Sequence, residues 1–309
     1  MIRIGTRASR LALAQAGTIA DGLRRAGAEV EIVPMKTEGD RRLGARLADV
    51  GGKGLFVREI EEALLAEHVD VAVHSLKDLP AELPAGLELA AFPPREDARD
   101  VLITRAGGGL EDLPAAAVLG TSSLRRQALA LALRPDLVVE PVRGNVDTRL
   151  AKLETGGVHA LLLAAAGLAR LGLSPRHARP LAPDVFVPAV GQGILGIEVR
   201  SADAATRRAV AALDDADTRA CALAERAFLA RLGASCNTPM AGHATIAGGD
   251  ERRLSMTAVV ASEDGRQVLR AEAAGRATDA AALGESLARS LLDRGAATVT
   301  TLHPERSRR

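Results

Sequence analysis

Ile2-Arg3-Ile4-Gly5, then Ser9-Arg10-Leu11-Ala12-Leu13-Ala14-Gln15 running on to about Gly27, then Val30-Glu31-Ile32-Val33-Pro34-Met35 is the stretch that decides the fold. The outer two segments are short and rich in β-branched residues, the signature of strands. Between them Leu11, Gln15, Ile19 and Leu23 recur at helical spacing, and Ser9 stands where a helix N-cap belongs. A helix joining two strands predicts a βαβ unit, and hence a mainly parallel sheet covered on both faces. The alternation continues with a helix over 55–66 and a strand over Val69–Ser75. Between strand and helix, Lys36 to Gly54 is polar and holds Gly39, Gly44, Gly51, Gly52 and Gly54. That is long for a connection in a compact domain, and its glycine content offers little burial against ordering entropy. The segment is expected to be a mobile functional loop.

Pro93-Pro94 and the charged run Arg95–Asp100 punctuate the chain, after which the alternation restarts. Val101–Thr104, Val118–Gly120, Leu137–Pro141 and Ala160–Ala164 read as strands, and Ser123–Leu133 and Asn145–Glu154 as helices. Pro180, Pro183 and Pro188 break the pattern again, and Ile194–Val199 is a strand able to return to the first sheet. From Asp217 the style changes. A helix to about Leu232 is followed by antiparallel-type strands Met240–Ile246, Leu254–Ala261 and Gln267–Ala274, and a helix Ala280–Arg294. The expected domains are 1–93 with 194–213 (discontinuous, α/β), 99–188 (α/β) and 216–309 (small, α+β).

The chain has 309 residues, 47% of them hydrophobic and 26% charged, which is enough apolar content for a real core and excludes a wholly disordered chain. Lys+Arg is 40 and Asp+Glu 39, so no bulk basic field exists to hold nucleic acid or an anionic membrane. With no Trp, no Tyr and four Phe, base-stacking platforms are nearly excluded as well. The longest apolar run, Ala160 to Ala169, falls well short of the roughly 18 residues of a membrane span. The N-terminus shows no signal-peptide pattern, and two cysteines without CxxC spacing suggest neither a disulfide framework nor a metal cluster, so the expected compartment is the cytoplasm.

The chemistry-bearing motifs recur at strand ends. Gly5-Thr6-Arg7-Ala8-Ser9-Arg10 follows the first strand, Gly120-Thr121-Ser122-Ser123-Leu124-Arg125-Arg126 follows Val118-Leu119, and Val142-Arg143-Gly144-Asn145-Val146-Asp147-Thr148-Arg149 follows Leu137–Pro141. Each puts Gly, Ser, Thr or Asn at a helix N-terminus, where free backbone N–H groups attract anions, and each adds arginine. A cation there opposes the helix dipole by about 0.3–1 kcal/mol. A single case is ordinary in a chain with 36 arginines and four lysines. Three in two domains indicate a cleft for an anionic ligand at the carboxyl ends of the strands. Arginine's planar fork suits carboxylates. His74-Ser75-Leu76-Lys77-Asp78-Leu79-Pro80 ends another strand there, and a carboxylate among arginines stays ionised and is able to stabilise a developing cation or move a proton. The competing reading of each motif is a solvated surface arginine beside an ordinary cap. Gly191-Gln192-Gly193-Ile194-Leu195-Gly196 matches GxGxxG literally, but a strand follows it instead of a helix, so it reads as a backbone crossing between domains. Gly51-Gly52-Lys53-Gly54 lacks the Ser/Thr and the spacing of a P-loop. Cys221 lies at helical spacing with Ala224, Phe228 and Leu232 and reads as a core thiol; Cys236 lies on a loop, available for covalent chemistry.

Together these residues resemble the porphobilinogen deaminase family. The resemblance spans nearly the whole chain and rests on Thr6-Arg7-x-Ser9, Gly51-Gly52-Lys53-Gly54-Leu55-Phe56, His74-Ser75-x-Lys77-Asp78, Arg95-Glu96-Asp97, the runs 120–126 and Arg143-Gly144-Asn145, Pro188-Ala189-Val190-Gly191-Gln192-Gly193, and the Cys236 loop. Asn237 and Thr238 depart from the residue types usual after the cysteine, while Pro239 fits. The resemblance implies two lobes like those of type II periplasmic binding proteins plus a C-terminal domain. It also implies head-to-tail condensation of four porphobilinogen into linear hydroxymethylbilane with release of ammonia. The primer is a dipyrromethane cofactor held by a thioether to Cys236. Asp78 would hydrogen-bond pyrrole N–H groups and stabilise positive charge. Arg7, Arg125, Arg126, Arg143, Arg149 and Arg170 would bind carboxylates or assist proton transfer, with Ser9 and Gln192 also at the substrate. Ser123 and Lys77 would hold the cofactor, and Lys53 and Phe56 belong to a covering loop. No metal is implied, and the family favours a monomer. The reading from a different class is a non-catalytic two-lobed binding protein for a small carboxylate, which accounts for the arginines but not for a domain presenting a loop cysteine.

Overall fold

The computed structural model describes residues 1–35, 57–234, 238–247 and 252–302. The chain forms two compact units: residues 1–96 with 193–219, and residues 97–192 with 220–309.

The first unit is built on a five-stranded sheet. β1 (Ile2–Arg7), β2 (Val30–Met35), β3 (Val71–Ser75), β4 (Leu87–Ala91) and β10 (Leu195–Arg200) lie in the order β2-β1-β3-β10-β4. The β2, β1 and β3 strands run parallel, as the βαβ alternation predicts, whereas β10 is antiparallel to both β3 and β4. The sheet is therefore mixed. The antiparallel member is the strand by which the chain re-enters the unit, and such a strand is not bound by the crossover rule that keeps βαβ strands parallel. Helix α1 (Arg10–Arg25) buries Ala12, Gln15, Ala16, Ile19, Ala20 and Leu23 along one face, and Ser9 caps it by accepting from the Ala12 N–H. Ile19, Ala20 and Leu23 pack on one side of the sheet with Ile4, Val71, Val73 and Ile197. On the other side α2 (Arg58–Leu65) supplies Ile60, Ala63 and Leu64 against Val69, Ala72 and Leu87.

The second unit repeats the plan. Its sheet, in the order β7-β6-β8-β5-β9, comprises β5 (Asp100–Thr104), β6 (Val118–Gly120), β7 (Val138–Glu140), β8 (Ala160–Ala164) and β9 (Ala178–Pro180). Again three strands are parallel, and the entering strand, β5, is antiparallel to its neighbours. The helices are α3 (Leu124–Leu133), α4 (Val146–Glu154) and the short α5 (Ala165–Arg170). β4 and β9 have no counterpart in the sequence reading. Both are edge strands, where pairing on one side only leaves a weak hydrophobic pattern. After α6 (Ala204–Ala211) in the first unit, α7 (Ala216–Leu232) leads to an antiparallel sheet of β11 (Met240–Ala247), β12 (Arg253–Ala261) and β13 (Val268–Arg276), then α8 (Ala280–Asp293) and α9 (Ala296–Val299). Cys221, Ala224, Phe228 and Leu232 face this core, with Cys221 buried as a core thiol. Gly284 of α8 sits where a Cβ would collide with the Ala224 carbonyl, so the two helices meet at backbone distance. Ala241, Val259 and Ala261 of the antiparallel sheet share one apolar cluster with Leu102, Leu119, Phe186 and Val187.

The chain passes back from the second unit to the first at Gln192–Gly193. The GxGxxG-like run is thus a crossing and not a nucleotide loop. Gly191 and Gly193 both have positive φ, which allows the sharp change of direction. The Gly191 N–H donates to Glu225, a carboxylate buried in α7 that also accepts from the Ala244 N–H.

Candidate active site

In the first unit, β1 and β3 are parallel neighbours, with Ile4 opposite Val71 and Gly5 opposite Ala72. Their carboxyl ends therefore open on one edge of the sheet, and four of the expected site residues lie there. Arg7 ends β1, and Ser9 caps the helix that follows. Ser75 ends β3, and a single 3₁₀ turn, Leu76–Asp78, comes next. Burial fixes that turn. Leu76 and Leu79 are in the core, and the Leu76 N–H donates to the Ile194 carbonyl at 3.0 Å. Lys77 is consequently half-buried and Asp78 exposed. The two strand ends are tied together by Gln15, buried in α1, whose Nε2 donates to Ser75 Oγ at 2.8 Å.

In the second unit, β6 and β7 end beside each other, with Gly120 opposite Glu140. Ser123 caps α3, accepting from the Arg126 N–H, while Ser122 Oγ donates to the Val142 carbonyl across the two strand ends. Arg143 is half-buried on the loop after β7, and Arg149, in α4, donates through Nε to the Gly144 carbonyl at 2.8 Å. Arg170 lies in the last turn of α5, a helix length beyond the end of β8.

Arg125 and Arg126 are buried, and both point into the unit at Asp100. Arg125 grips Asp100 through both ends of its fork, at 2.7 and 3.1 Å, and donates to the Val187 carbonyl. Arg126 adds Nε to Asp100 at 2.8 Å and Nη1 to the Leu162 carbonyl. Gln192, read from the sequence as a substrate residue, is buried beside them and donates to Ala98 and Asp100. Burial alone would raise the pKa of Asp100. The two adjacent guanidiniums outweigh it and hold the carboxyl well below the usual range. Burial lowers that of Arg126. The cluster contains two arginines and one aspartate, so one buried positive charge exceeds its counter-charge. Arg125 Nε is buried without a hydrogen-bond partner among the described residues. An orphaned donor on an excess cation is the chemistry that a ligand carboxylate satisfies, so these residues fit a carboxylate-bearing group.

Sequence reasoning missed Asp100 and the tying role of Gln15. Asp100 closes a charged run that reads as a linker, and its one legible signal was a carboxylate heading an apolar strand. Cys236, Lys53, Phe56 and the Lys36–Gly54 loop lie outside the described residues. Among the described residues no group of three or more His, Cys, Asp or Glu is placed to hold a metal ion, and no helix is long and apolar enough to cross a membrane.

Each unit by itself carries arginine at the carboxyl ends of parallel strands, joined in the first unit by the exposed Asp78, and that is where open α/β enzymes bind their ligands. Residues 2–208 match the family model described as "Porphobilinogen deaminase, dipyromethane cofactor binding domain", and residues 219–293 match "Porphobilinogen deaminase, C-terminal domain". Porphobilinogen deaminase of Syntrophotalea carbinolica is 50% identical over 297 residues, covering 96% of this chain and 93% of that one. That of Desulforudis audaxviator is 51% identical over 298 residues, 96% of each. The chain belongs to the porphobilinogen deaminase family. Among solved structures, a periplasmic substrate-binding protein of an ABC transporter from Coxiella burnetii aligns with 69% of this chain and 92% of its own, at 17% identity and a TM-score of 0.43.

Proposed function

We propose that the strand-end residues carry the porphobilinogen deaminase reaction in the following division of labour. The reaction condenses four porphobilinogen head to tail into hydroxymethylbilane with release of ammonia. Each pyrrole brings an acetate and a propionate, so the growing chain is a polycarboxylate. Arg7 and Ser9 in the first unit, and Arg143, Arg149 and Arg170 in the second, bind those carboxylates, and Arg7, Arg143 and Arg149 also assist proton transfer. Arg125, Arg126, Ser123 and Lys77 hold the dipyrromethane cofactor, which is attached through the sulfur of Cys236 and supplies the nucleophilic pyrrole carbon that primes the chain. Asp78 accepts hydrogen bonds from pyrrole N–H groups, and its negative charge stabilises the cation left when ammonia departs. Lys53 and Phe56 belong to a covering loop that excludes water. Gln192 acts by bracing Asp100.

The observation that carries this reading is the buried cluster of Arg125 and Arg126 on one carboxylate, with its unspent positive charge and orphaned Nε. Residues 99–188 and 216–309 each own a sheet, which supports a three-domain division of the chain. The protein acts as a cytoplasmic monomer. Intact mass of the purified chain is the direct test. A mass above that of the sequence by one dipyrromethane is expected, and a mass equal to the sequence would favour a plain carboxylate-binding protein.

A further inference from the structure

Under the sheet of the first unit, on the α2 side, two titratable side chains pair in the core and a third, Glu61, lies close enough to feel the charge of both. His74 of β3 and Glu198 of β10 are both buried, and His74 Nε2 lies 3.0 Å from Glu198 Oε2. The register pairs His74 with Gly196 and Glu198 with Ala72, so the two side chains share one face of the sheet. Glu61, on α2 between the core residues Ile60 and Ala63, is buried on the helix that packs against that face. Two acceptors are left over: Glu198 Oε1 and Glu61 Oε1 are both buried with no hydrogen-bond partner among the described residues. A pair of ionised carboxylates in this setting is strongly unfavourable, because each repels the other and only Glu198, through His74, has a partner for one of its oxygens. Arg200 offers no relief. Two residues beyond Glu198 and so on the same face, it is committed to Asp70, Asp203 and the carbonyls of Leu64 and Val69.

We propose that Glu61 is a positioning residue that enters the fold as a carboxylic acid and shares its proton with Glu198. His74, Glu198 and Glu61 then form one buried hydrogen-bonded chain that braces the end of β3 leading into Lys77 and Asp78. One O–H···O bond between the carboxyls satisfies both orphaned oxygens and removes one of the two negative charges. Burial, the neighbouring Glu198 and the same-helix Glu62 all favour the protonated form of Glu61, and His74 opposes it. The balance raises its pKa to about 7 from an ordinary 4.5. The chain leads from His74 through one residue, Ser75, to the 3₁₀ turn. The stability part of the proposal stands by itself. The catalytic part rests on the reading of Asp78 given above.

The sign is fixed. The folded state holds this proton up to about pH 7, whereas the unfolded chain loses it near 4.5, so the stabilisation is complete at low pH and is lost as pH rises to about 7. Glu61→Gln supplies a permanent donor of the same shape. The test compares cofactor-loaded wild type and E61Q from pH 5 to 8.5 by melting temperature, by infrared absorption of protonated carboxyls, and by kcat and KM. The melting temperature of E61Q is expected to gain on that of wild type by on the order of 5 °C across this range. A protonated-carboxyl band present at pH 6 in wild type is expected to be missing in E61Q. Wild-type kcat is expected to fall relative to E61Q by about twofold or more at pH 8, with KM little moved. A pH-independent difference in melting temperature, an unchanged infrared band, or an E61Q chain that fails to fold would each overturn the shared proton. If the stability and infrared shifts appear while the kcat profiles coincide, the link to the catalytic turn is overturned and the shared proton stands. Asp78→Asn, measured alongside, reports separately on the role given to Asp78.

Discussion

Asp100 receives both ends of the Arg125 guanidinium, at 2.7 and 3.1 Å, inside a core where Asp100 has no exposed surface. A fork-to-fork pair of this kind has few ways to rearrange. Removing the carboxylate would leave Arg125 and Arg126 as two buried cations, and breaking a buried pair from one side costs about 3–5 kcal/mol. Asp100→Ala is therefore expected to lower the unfolding free energy by that order in urea titration. Asp100→Asn, which keeps the volume and one acceptor, should cost less. Equal stability of wild type and Asp100→Ala would mean that the two arginines find other partners.

Asp78 is the opposite case, an exposed carboxylate with little structural duty. Asp78→Asn is expected to melt within about 1 kcal/mol of wild type, as surface substitutions usually do. The amide still accepts a hydrogen bond but carries no charge for the cationic step. Single-turnover assays should show porphobilinogen captured and almost no condensation. Near-normal turnover would assign the role to another group.

What the sequence revealed and what it hid follow from the range of the interactions. The βαβ units, the helix caps at Ser9 and Ser123, and the return of the 194–199 strand to the first sheet were legible, because periodicity and capping are local signals. The direction of β10 and β5 was not, since antiparallel entry is set by where the chain comes from and not by residue type. Within the site, Arg7, Ser9, Lys77 and Asp78 do fall at two adjacent strand ends. For Arg125 and Arg126 the sequence showed two arginines at a first helical turn but not their counter-charge. Only the fold brings Asp100, 25 residues earlier, under them.

Asp70 links β1 to the end of β10. It accepts from the Arg3 side chain at 2.8 and 3.0 Å and from the Arg3 N–H at 2.9 Å, and from Arg200 at 3.2 Å. Burial pushes its pKa up, but these bonds prevail and lower it to about 2 from 3.8. A depressed carboxylate stabilises the fold above its unfolded pKa, and that stabilisation is lost as pH falls from about 4 toward 2. Asp70→Asn is expected to be less stable than wild type at pH 7, with the difference shrinking below pH 4. A gap in melting temperature that stayed constant from pH 7 to pH 2.5 would contradict this assignment.

The two cysteines separate attachment from packing. Cys221 is buried in the core formed by α7, α8 and the antiparallel sheet, whereas Cys236 is outside the described residues. Thioether formation needs a sulfur nucleophile, and a serine hydroxyl lacks the reactivity unless a base activates it. Cys236→Ser is therefore expected to carry no dipyrromethane mass and to make no hydroxymethylbilane. Cys221→Ser should retain both and lose on the order of 1–3 kcal/mol of stability from burying a hydroxyl. The cofactor's carboxylates bind only the folded chain, and a ligand of the folded state stabilises it by mass action. Cys236→Ser should for that reason melt below wild type, although the substitution itself changes one atom. Intact mass, activity and melting temperature of both variants, measured side by side, check all three statements. Pyrrole mass on Cys236→Ser, or its loss from Cys221→Ser, would move the attachment site elsewhere.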